Sequence, residues 1–241
     1  MLIGGLQKVT LLDFPGKVAA TVFTAGCNFA CRFCYNPQLV KPKVIKQAKL
    51  LSQTEVLDFL ASRRRYLEGV CISGGEPTVQ KDLKSFCQQL KKLGYAVKLD
   101  TNGLKPEVVR QLIEKKLVDY VAMDIKAPLA KYTKVVGKTI ATKKIKESIK
   151  LLLAWQATSP EVIVEFRSTL VPGLHKIEDV KQMAKLIAGA PVYYLQNFIC
   201  PGSLVDQKFK PAKNSFTLSE LAEFQAVAQP LVKHCEVRTN L

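Results

Sequence analysis

The sequence lacks several features that would place the protein in common classes. No apolar run approaches the ~20 residues of a membrane-spanning helix, and the first residues lack the charged start and long apolar core of a signal peptide. Seven cysteines is an odd number, so reduced thiols are expected in place of a disulfide framework. Together these absences predict a cytoplasmic protein with no membrane partner.

Acidic residues are also scarce. The chain has 20 Asp and Glu against 36 Lys and Arg, which gives a net charge of +16. Such an excess can attract an acidic partner or nucleic acid. The basic residues are spread over predicted helices and loops, without the interleaved aromatic side chains of a base-stacking surface. We therefore expect mostly solvated helix faces and no nucleic acid partner.

What the chain does contain is a repeated alternation of strands and helices. A helical pattern follows each predicted strand except the last, which implies parallel strands joined by right-handed crossovers. The sequence thus predicts an α/β fold, either a full or partial barrel or an open doubly wound sheet. We expect one domain over 1–241, with 1–17 as an extension leading into the first strand. The predicted strands are 18–24, 69–73, 95–99, 120–125, 162–170, 192–198 and 236–239.

The distinctive polar residues and cysteines come at the ends of the predicted strands. The cysteine-containing loop 27–34 follows the first strand, and 74–77 follows the second. Asp100 and the segment 124–126 come at the ends of the next two. In folds of this kind the chemistry lies beyond the carboxyl ends of the strands, so we expect these residues to meet at one rim.

Three thiols in the loop 27–34 form the most unusual local pattern. Cys27, Cys31 and Cys34 are one ligand short of a structural zinc site, which leaves a coordination position open. The spacing suits an iron–sulfur cluster, since three thiolates can bind three irons and leave the fourth accessible. Zinc is the alternative, but the two histidines, His175 and His234, are not at typical zinc spacing.

The other four cysteines give no second cluster. Cys71 and Cys87 fall on apolar strand and helix faces and are expected to be small buried hydrophobes. Cys200 and Cys235 are isolated in the sequence. We expect Cys200 near the mouth of the site and assign it no role.

Two of these motifs together resemble the radical S-adenosylmethionine (radical SAM) superfamily. They are C-x3-C-x2-C after the first strand, with Phe33 before the last cysteine, and Gly-Gly-Glu-Pro at 74–77 after the second. The resemblance implies a partial (β/α)6 TIM-like barrel, open on one side. It also implies a [4Fe–4S] cluster on the three cysteines, with S-adenosylmethionine chelating the open iron. The turn 74–76 would meet the amino group of that molecule, and Phe33 would stack beside its adenine.

Further stretches resemble the activating enzymes of glycyl-radical enzymes, in particular those of anaerobic ribonucleoside-triphosphate reductase. These stretches are 11–17, 99–103, 123–128, 166–173 and 194–198. The likeness implies an oxidoreductase that takes one electron from a flavodoxin-like or ferredoxin-like donor. It would cleave S-adenosylmethionine to methionine and a 5'-deoxyadenosyl radical, which removes a hydrogen from a glycine of the partner.

Other functions stay open at this stage. The partner could be another glycyl-radical enzyme of the formate-lyase type, or the radical reaction could act on a small molecule. A zinc-bound nucleic-acid-binding module is a remote alternative.

Charged residues at the strand ends complete the candidate site. Lys126 and Arg167 could each hold a ligand carboxylate, although an arginine within a strand can simply pair with an acid. Asp100 and Asp124 are expected to face one another and to bind ribose hydroxyls or a monovalent cation, or else to be linked through Lys126. His175 receives no role. The candidate catalytic and metal-binding residues are Cys27, Cys31 and Cys34, and the candidate cofactor-binding residues are Phe33, Gly74, Gly75, Glu76, Pro77, Asp100, Asp124, Lys126 and Arg167.

Overall fold

The computed structural model describes residues 1–158, 161–199 and 202–239. Its strands form one eight-stranded sheet in which spatial order follows chain order. The first strand is antiparallel to the second, and the others run parallel to their neighbours. The strands are β1 (Ile3–Thr10), β2 (Ala19–Thr24), β3 (Gly69–Gly74), β4 (Ala96–Thr101), β5 (Tyr120–Asp124), β6 (Ile163–Leu170), β7 (Tyr193–Asn197) and β8 (Cys235–Arg238).

Helices occupy the crossovers between the parallel strands. The helix Gln53–Arg63 begins with a capping box, in which the Ser52 hydroxyl accepts from the Glu55 amide and the Glu55 carboxylate accepts from the Ser52 amide. The helices are α1 (Pro37–Val40), α2 (Pro42–Gln47), α3 (Gln53–Arg63), α4 (Leu83–Lys92), α5 (Pro106–Glu114), α6 (Tyr132–Val136), α7 (Thr142–Thr158), α8 (Ile177–Leu186) and α9 (Leu218–Ala228). Within the described residues, none is long and apolar enough to cross a membrane.

The sheet curves into a partial barrel with an open side. β1 and β8 are its two edges, and in the described part of the chain they are not paired with each other. Apolar helix faces cover its outside; on α4, for example, Phe86 and Leu90 are fully buried. The predicted α/β partial barrel is therefore confirmed, with six strand–helix units from β2 to α9 and β8 as a last strand.

The N-terminal segment differs from the expectation. The sequence suggested an extension, whereas Ile3–Thr10 is an edge strand paired with β2. The sequence pattern does not indicate this strand, because only Ile3 and Thr10 are buried and the residues between them show no regular alternation of apolar and polar side chains. β1 thus adds an antiparallel strand to one edge of the barrel.

Candidate active site

A cavity of ≈ 680 Å³ lies inside the curved sheet. It is within the size range of sites that hold small molecules and cofactors. The structure brings every candidate residue to its wall, while their roles stay predictions. These residues are Cys27, Cys31, Cys34, Phe33, Gly74, Gly75, Glu76, Pro77, Asp100, Asp124, Lys126 and Arg167.

The cysteine-containing loop 27–34 is held from two sides. The Ala30 amide donates to the Val136 carbonyl at the end of α6 (2.9 Å). The Arg32 Nε donates to the Asp206 carboxylate (2.9 Å), which lies in the long connection before α9. Anchoring on both sides fixes the loop where β2 delivers it. Neither anchor was evident from the sequence, because both partners lie more than 100 residues away.

The three thiols of this loop are free and partly or fully buried. Burial raises the pKa of the Cys27 and Cys31 thiols to about 12, and it also raises that of Cys34. Thiolates at these positions therefore need a positive charge beside them, as a metal centre provides.

The donor set fits an iron–sulfur cluster. Cys27, Cys31 and Cys34 are soft ligands from one loop, and all three border the same cavity. Among the residues that the structure describes, no three His, Cys, Asp or Glu side chains converge as ligands of a single metal ion. A cubane does not require such convergence, because each thiolate binds a separate iron.

The turn after β3 needs glycine for steric reasons. Gly74 has φ +103°, and a Cβ there would lie 2.5 Å from the Thr24 amide nitrogen. A Cβ on Gly75 would collide with the Gly26 carbonyl oxygen. The Gly75 amide donates to the Thr24 carbonyl (2.8 Å). The turn therefore presses directly on the start of the cysteine-containing loop, and its amides are already used by that neighbour.

The Glu76 side chain has a structural position. Its Oε1 accepts from the Thr101 hydroxyl (2.8 Å), and its Oε2 accepts from the Asn102 amide (2.7 Å). Burial raises the pKa of this carboxyl, against the effect of those hydrogen bonds. Glu76 thus joins the ends of β3 and β4, and Pro77 next to it begins a short 3-10 helix at Pro77–Val79.

Five charged side chains form an ionic network with Arg167 at its centre. The Arg167 Nε is 3.1 Å from Asp124 Oδ1, and its Nη1 is 3.2 Å from Asp100 Oδ2. Lys126 pairs with Asp124 (3.0 Å), and the buried Lys98 pairs with Asp100. The alternative in which Lys126 links the two carboxylates is corrected, because Arg167 bridges them and Lys126 pairs with Asp124 alone of the two.

This network keeps its members ionised. Burial alone would raise the pKa of Asp100, but Arg167 and Lys98 outweigh it and lower that pKa to about 2. Burial would also raise the pKa of Asp124, but Lys126 and Arg167 together lower it. Burial would lower the pKa of Lys126, but Asp124 raises it. Lys126 is therefore a fixed cation of the cavity wall and not a solvated surface lysine.

Phe33, which is predicted to stack beside adenine, is buried against two other aromatic rings. Its side chain is 5% exposed and meets the rings of His175 and Phe198 edge-on, with centroids 6.5 Å and 6.3 Å away. The Lys126 ammonium lies 5.9 Å from its ring centroid. Phe33 borders the cavity, and its contact with adenine stays a prediction.

Sequence reasoning missed Lys98 and Glu165, although a signal was present. Each comes two positions before a predicted site residue on the same strand, Lys98 before Asp100 and Glu165 before Arg167. Residues i and i+2 of a strand share a face, and a charge inside an apolar strand has to be paired. Both side chains line the cavity below the rim.

His175 was also missed, for lack of any local motif. It is buried, and its Nδ1 accepts from the Val171 amide (2.9 Å), so its Nε2–H donates to the Lys126 carbonyl (2.9 Å). Burial lowers the pKa of the ring, which is therefore neutral. His175 fixes the backbone that carries Lys126.

The remaining cysteines agree with the expectation where the structure describes them. Cys71, Cys87 and Cys235 are free and buried. The expected position of Cys200 lies outside the described residues.

Comparisons with known proteins show which family this chain resembles. The model of the radical SAM superfamily matches residues 21–187. A Methanocaldococcus jannaschii protein described as a candidate glycyl-radical enzyme activating enzyme is 33% identical over 99% of this chain and 96% of its own length. The pyruvate formate-lyase-activating enzyme of Staphylococcus epidermidis is 30% identical over 77% of this chain and 75% of its own.

A solved structure shares the fold. Streptococcus suis SuiB bound to S-adenosylmethionine has a TM-score of 0.66 at 14% identity, covering 90% of this chain and 49% of that one. From the matched family model and the full-length similarity to the archaeal relative, the chain belongs to the radical SAM superfamily and, within it, to the glycyl-radical enzyme activating enzymes.

Proposed function

We propose that this protein generates a glycyl radical on an anaerobic ribonucleoside-triphosphate reductase. The observation that carries the proposal is the shared cavity, whose wall holds the free thiols of the loop 27–34, the glycine turn and the ionic network. Its residues fit the [4Fe–4S] cluster and S-adenosylmethionine that the radical SAM family implies. When bound, these two groups supply the one-electron cleavage that ends with a hydrogen atom removed from a glycine of the partner.

The protein's own residues would bind and orient these groups. Cys27, Cys31 and Cys34 would hold three irons. The backbone of the turn 74–76 would accept from the amino group of S-adenosylmethionine, since its amides are already donated to β2 and the loop after it. Lys126, whose backbone is held by His175, would bind the carboxylate through a charge-assisted hydrogen bond.

A monovalent cation near Asp100 and Asp124 stays a prediction. The two carboxylates already face the cations Lys98, Lys126 and Arg167. These carboxylates are therefore better suited to accept hydrogen bonds from ligand hydroxyls than to bind a further cation.

The open side of the barrel supports a protein substrate. The cavity wall includes Gln7 on β1 and Arg238 on β8, so the cavity extends to both edges of the sheet. A peptide loop of the partner could enter between these edges and exclude water from the reacting atoms. We propose that the chain acts in this way as a single domain in the cytoplasm, with a flavodoxin-like or ferredoxin-like electron donor.

The reductase is favoured by local likeness. The stretches 11–17 and 194–198, taken with 99–103, 123–128 and 166–173, resemble its activating proteins. A formate-lyase type partner is the second candidate, and the similarity to the Staphylococcus epidermidis enzyme supports it. Membership of the radical SAM superfamily leaves no support for a zinc-bound nucleic-acid module.

Partner identity can be tested by electron paramagnetic resonance. The protein is reconstituted anaerobically with iron and sulfide, reduced, and mixed with S-adenosylmethionine and either the reductase or a formate-lyase. We expect a glycyl doublet on the reductase that needs all components. A doublet on the formate-lyase alone favours the second candidate. A doublet on neither protein, with a small molecule consumed instead, would contradict both.

A further inference from the structure

Glu165 carries an unused polar atom in the interior of the protein. The residue lies on β6, is 0% exposed and lines the cavity. Its Oε2 accepts from the Tyr120 hydroxyl, while its Oε1 has no hydrogen-bond partner. Within 1–158, 161–199 and 202–239, no other buried side-chain nitrogen or oxygen is left in this condition. Because an unpaired buried acceptor lowers stability, a role in another state of the protein is expected.

A charged donor close to this oxygen belongs to Arg167. The Arg167 Nη1 lies 3.8 Å from Glu165 Oε1, which is too far for a hydrogen bond. The same nitrogen is 3.2 Å from Asp100 Oδ2. A shift of roughly 1 Å would bring it to hydrogen-bond distance from Glu165. Glu165 and Arg167 are on the same face of β6, so this shift needs only side-chain movement.

Arg167 stays near the rim because two carboxylates hold it there. Its Nε contacts Asp124 and its Nη1 contacts Asp100. A ligand that presents hydroxyl or ammonium donors to Asp100 and Asp124 would compete with the guanidinium for the same oxygens. The guanidinium would then need another acceptor, and Glu165 Oε1 is the buried oxygen within reach.

We propose that Glu165 is a positioning residue for Arg167. The guanidinium occupies an upper position, on Asp100 and Asp124, when the rim is free, and a lower position, on Glu165, when S-adenosylmethionine engages the rim. A charge-assisted hydrogen bond to Glu165 replaces the contacts that Arg167 gives up. This inference rests on the proposed function, since it takes S-adenosylmethionine as the ligand.

Ligand affinity tests the proposal without turnover. The cluster-loaded protein is titrated anaerobically with S-adenosylmethionine, without reductant, and Kd is measured by calorimetry. Glu165→Gln keeps the shape of the side chain and removes its charge, so the lower position of Arg167 is weakened more than the upper one. We expect Kd to rise about tenfold, a change of about 1.4 kcal/mol.

Tyr120→Phe is the matched control. It removes the hydroxyl that Glu165 Oε2 accepts from and leaves Oε1 and the carboxylate charge in place. We expect its Kd to stay within about twofold of the parent. Equal losses in both variants would indicate damaged packing between β5 and β6 and would overturn the proposal, as would an unchanged Kd in Glu165→Gln.

A crystal structure of the parent protein with S-adenosylmethionine decides the matter even if Glu165→Gln does not fold. Arg167 Nη1 at hydrogen-bond distance from Glu165 Oε1 would support the proposal. Arg167 still on Asp100, with Glu165 bonded to water or to the ligand, would overturn it. If the cluster-loaded parent does not bind S-adenosylmethionine, the proposed function fails and this inference fails with it; normal binding with no effect of Glu165→Gln removes this inference alone.

Discussion

At the scale of single residues, the site depends on charges that neutralise one another before any ligand binds. Lys98, Lys126 and Arg167 face Asp100, Asp124 and Glu165 inside the barrel. Burying a single ion in such surroundings costs desolvation free energy, and an oppositely charged partner offsets much of that cost. Because the opposite charges are paired, the cavity wall stays charged without an added ion. Removing any one of these side chains would leave its partner with one opposite charge fewer.

Lys98 tests this dependence. Lys98→Met leaves Asp100 with Arg167 as its remaining cation, and removing one partner of a buried pair costs about 3–5 kcal/mol. We expect a loss of stability in that range, measured by urea unfolding of the protein. Lys92→Met on α4 replaces an exposed lysine in the same way and should change stability by less than about 0.5 kcal/mol. Similar, small effects of both substitutions would contradict the network.

His175 offers a second test at this scale, because its two nitrogens have separate partners. Asn can supply the acceptor near Nδ1 for the Val171 amide, and Gln can supply the donor near Nε2 for the Lys126 carbonyl. If the contact with Lys126 matters for ligand binding, His175→Gln should keep the KM for S-adenosylmethionine within about threefold of the parent value. His175→Asn should raise that KM by about tenfold. The two variants should have similar free energies of unfolding. The reverse order would assign His175 to holding its own loop.

At the scale of elements, the loop after β2 and the turn after β3 work as one unit. Gly75 lies against Gly26, and Gly74 lies against Thr24. The positions of the glycine turn and of the cysteine-containing loop therefore depend on each other. Loop and turn come from neighbouring parallel strands, which brings their ends together at one edge of the sheet.

Gly75→Ala should separate these two segments. The added methyl group would collide with the backbone of Gly26, and overpacking of this kind costs about 1–3 kcal/mol. We expect lower stability and a lower yield of reconstituted cluster, measured as iron bound per protein. Gly5→Ala on β1 is the control, since its nearest neighbour would be at an ordinary 3.7 Å. Equal iron contents in the two variants would argue against the coupling.

The elements also show how far the sequence could be interpreted. The parallel strands and the longer helices followed from periodicity and from caps such as the Ser52 box. β1 and the five-residue α6 did not, because an irregular edge strand and a short helix have too little pattern of their own. The rim residues were predictable from motifs. Lys98 and Glu165 could have been found from the two-residue spacing that puts them on the same strand faces as Asp100 and Arg167. The partners of the loop 27–34 could not, because they depend on contacts between distant segments that no local pattern encodes.

At the scale of the whole molecule, the basic charge is uneven. No acidic residue occurs between Asp13 and Glu55, a segment that contains the cysteine-containing loop, α1 and α2. α2 has no buried residue, and its Lys43 and Lys46 are exposed. A surface of one sign beside the cysteine-containing loop would speed association with an acidic protein.

A complex of the protein with the proposed reductase partner should therefore weaken with salt. Raising ionic strength from about 0.05 M to about 0.5 M shortens the screening length to a few ångströms, which removes long-range attraction. We expect slower association and a higher Kd, measured by surface plasmon resonance over a salt series. Binding that does not change with salt would show that the net charge of +16 has no part in docking.

The most direct test of the central claim concerns the three thiols. The parent and a Cys31→Ala variant are reconstituted anaerobically with iron and sulfide, and 5'-deoxyadenosine is measured after addition of S-adenosylmethionine and a reductant. A Cys87→Ala variant serves as the control, because that thiol is buried on α4, away from the cavity. We predict that Cys31→Ala loses iron and forms no 5'-deoxyadenosine while Cys87→Ala retains both; a Cys31→Ala protein that holds the same iron and cleaves as fast as the parent would contradict the account.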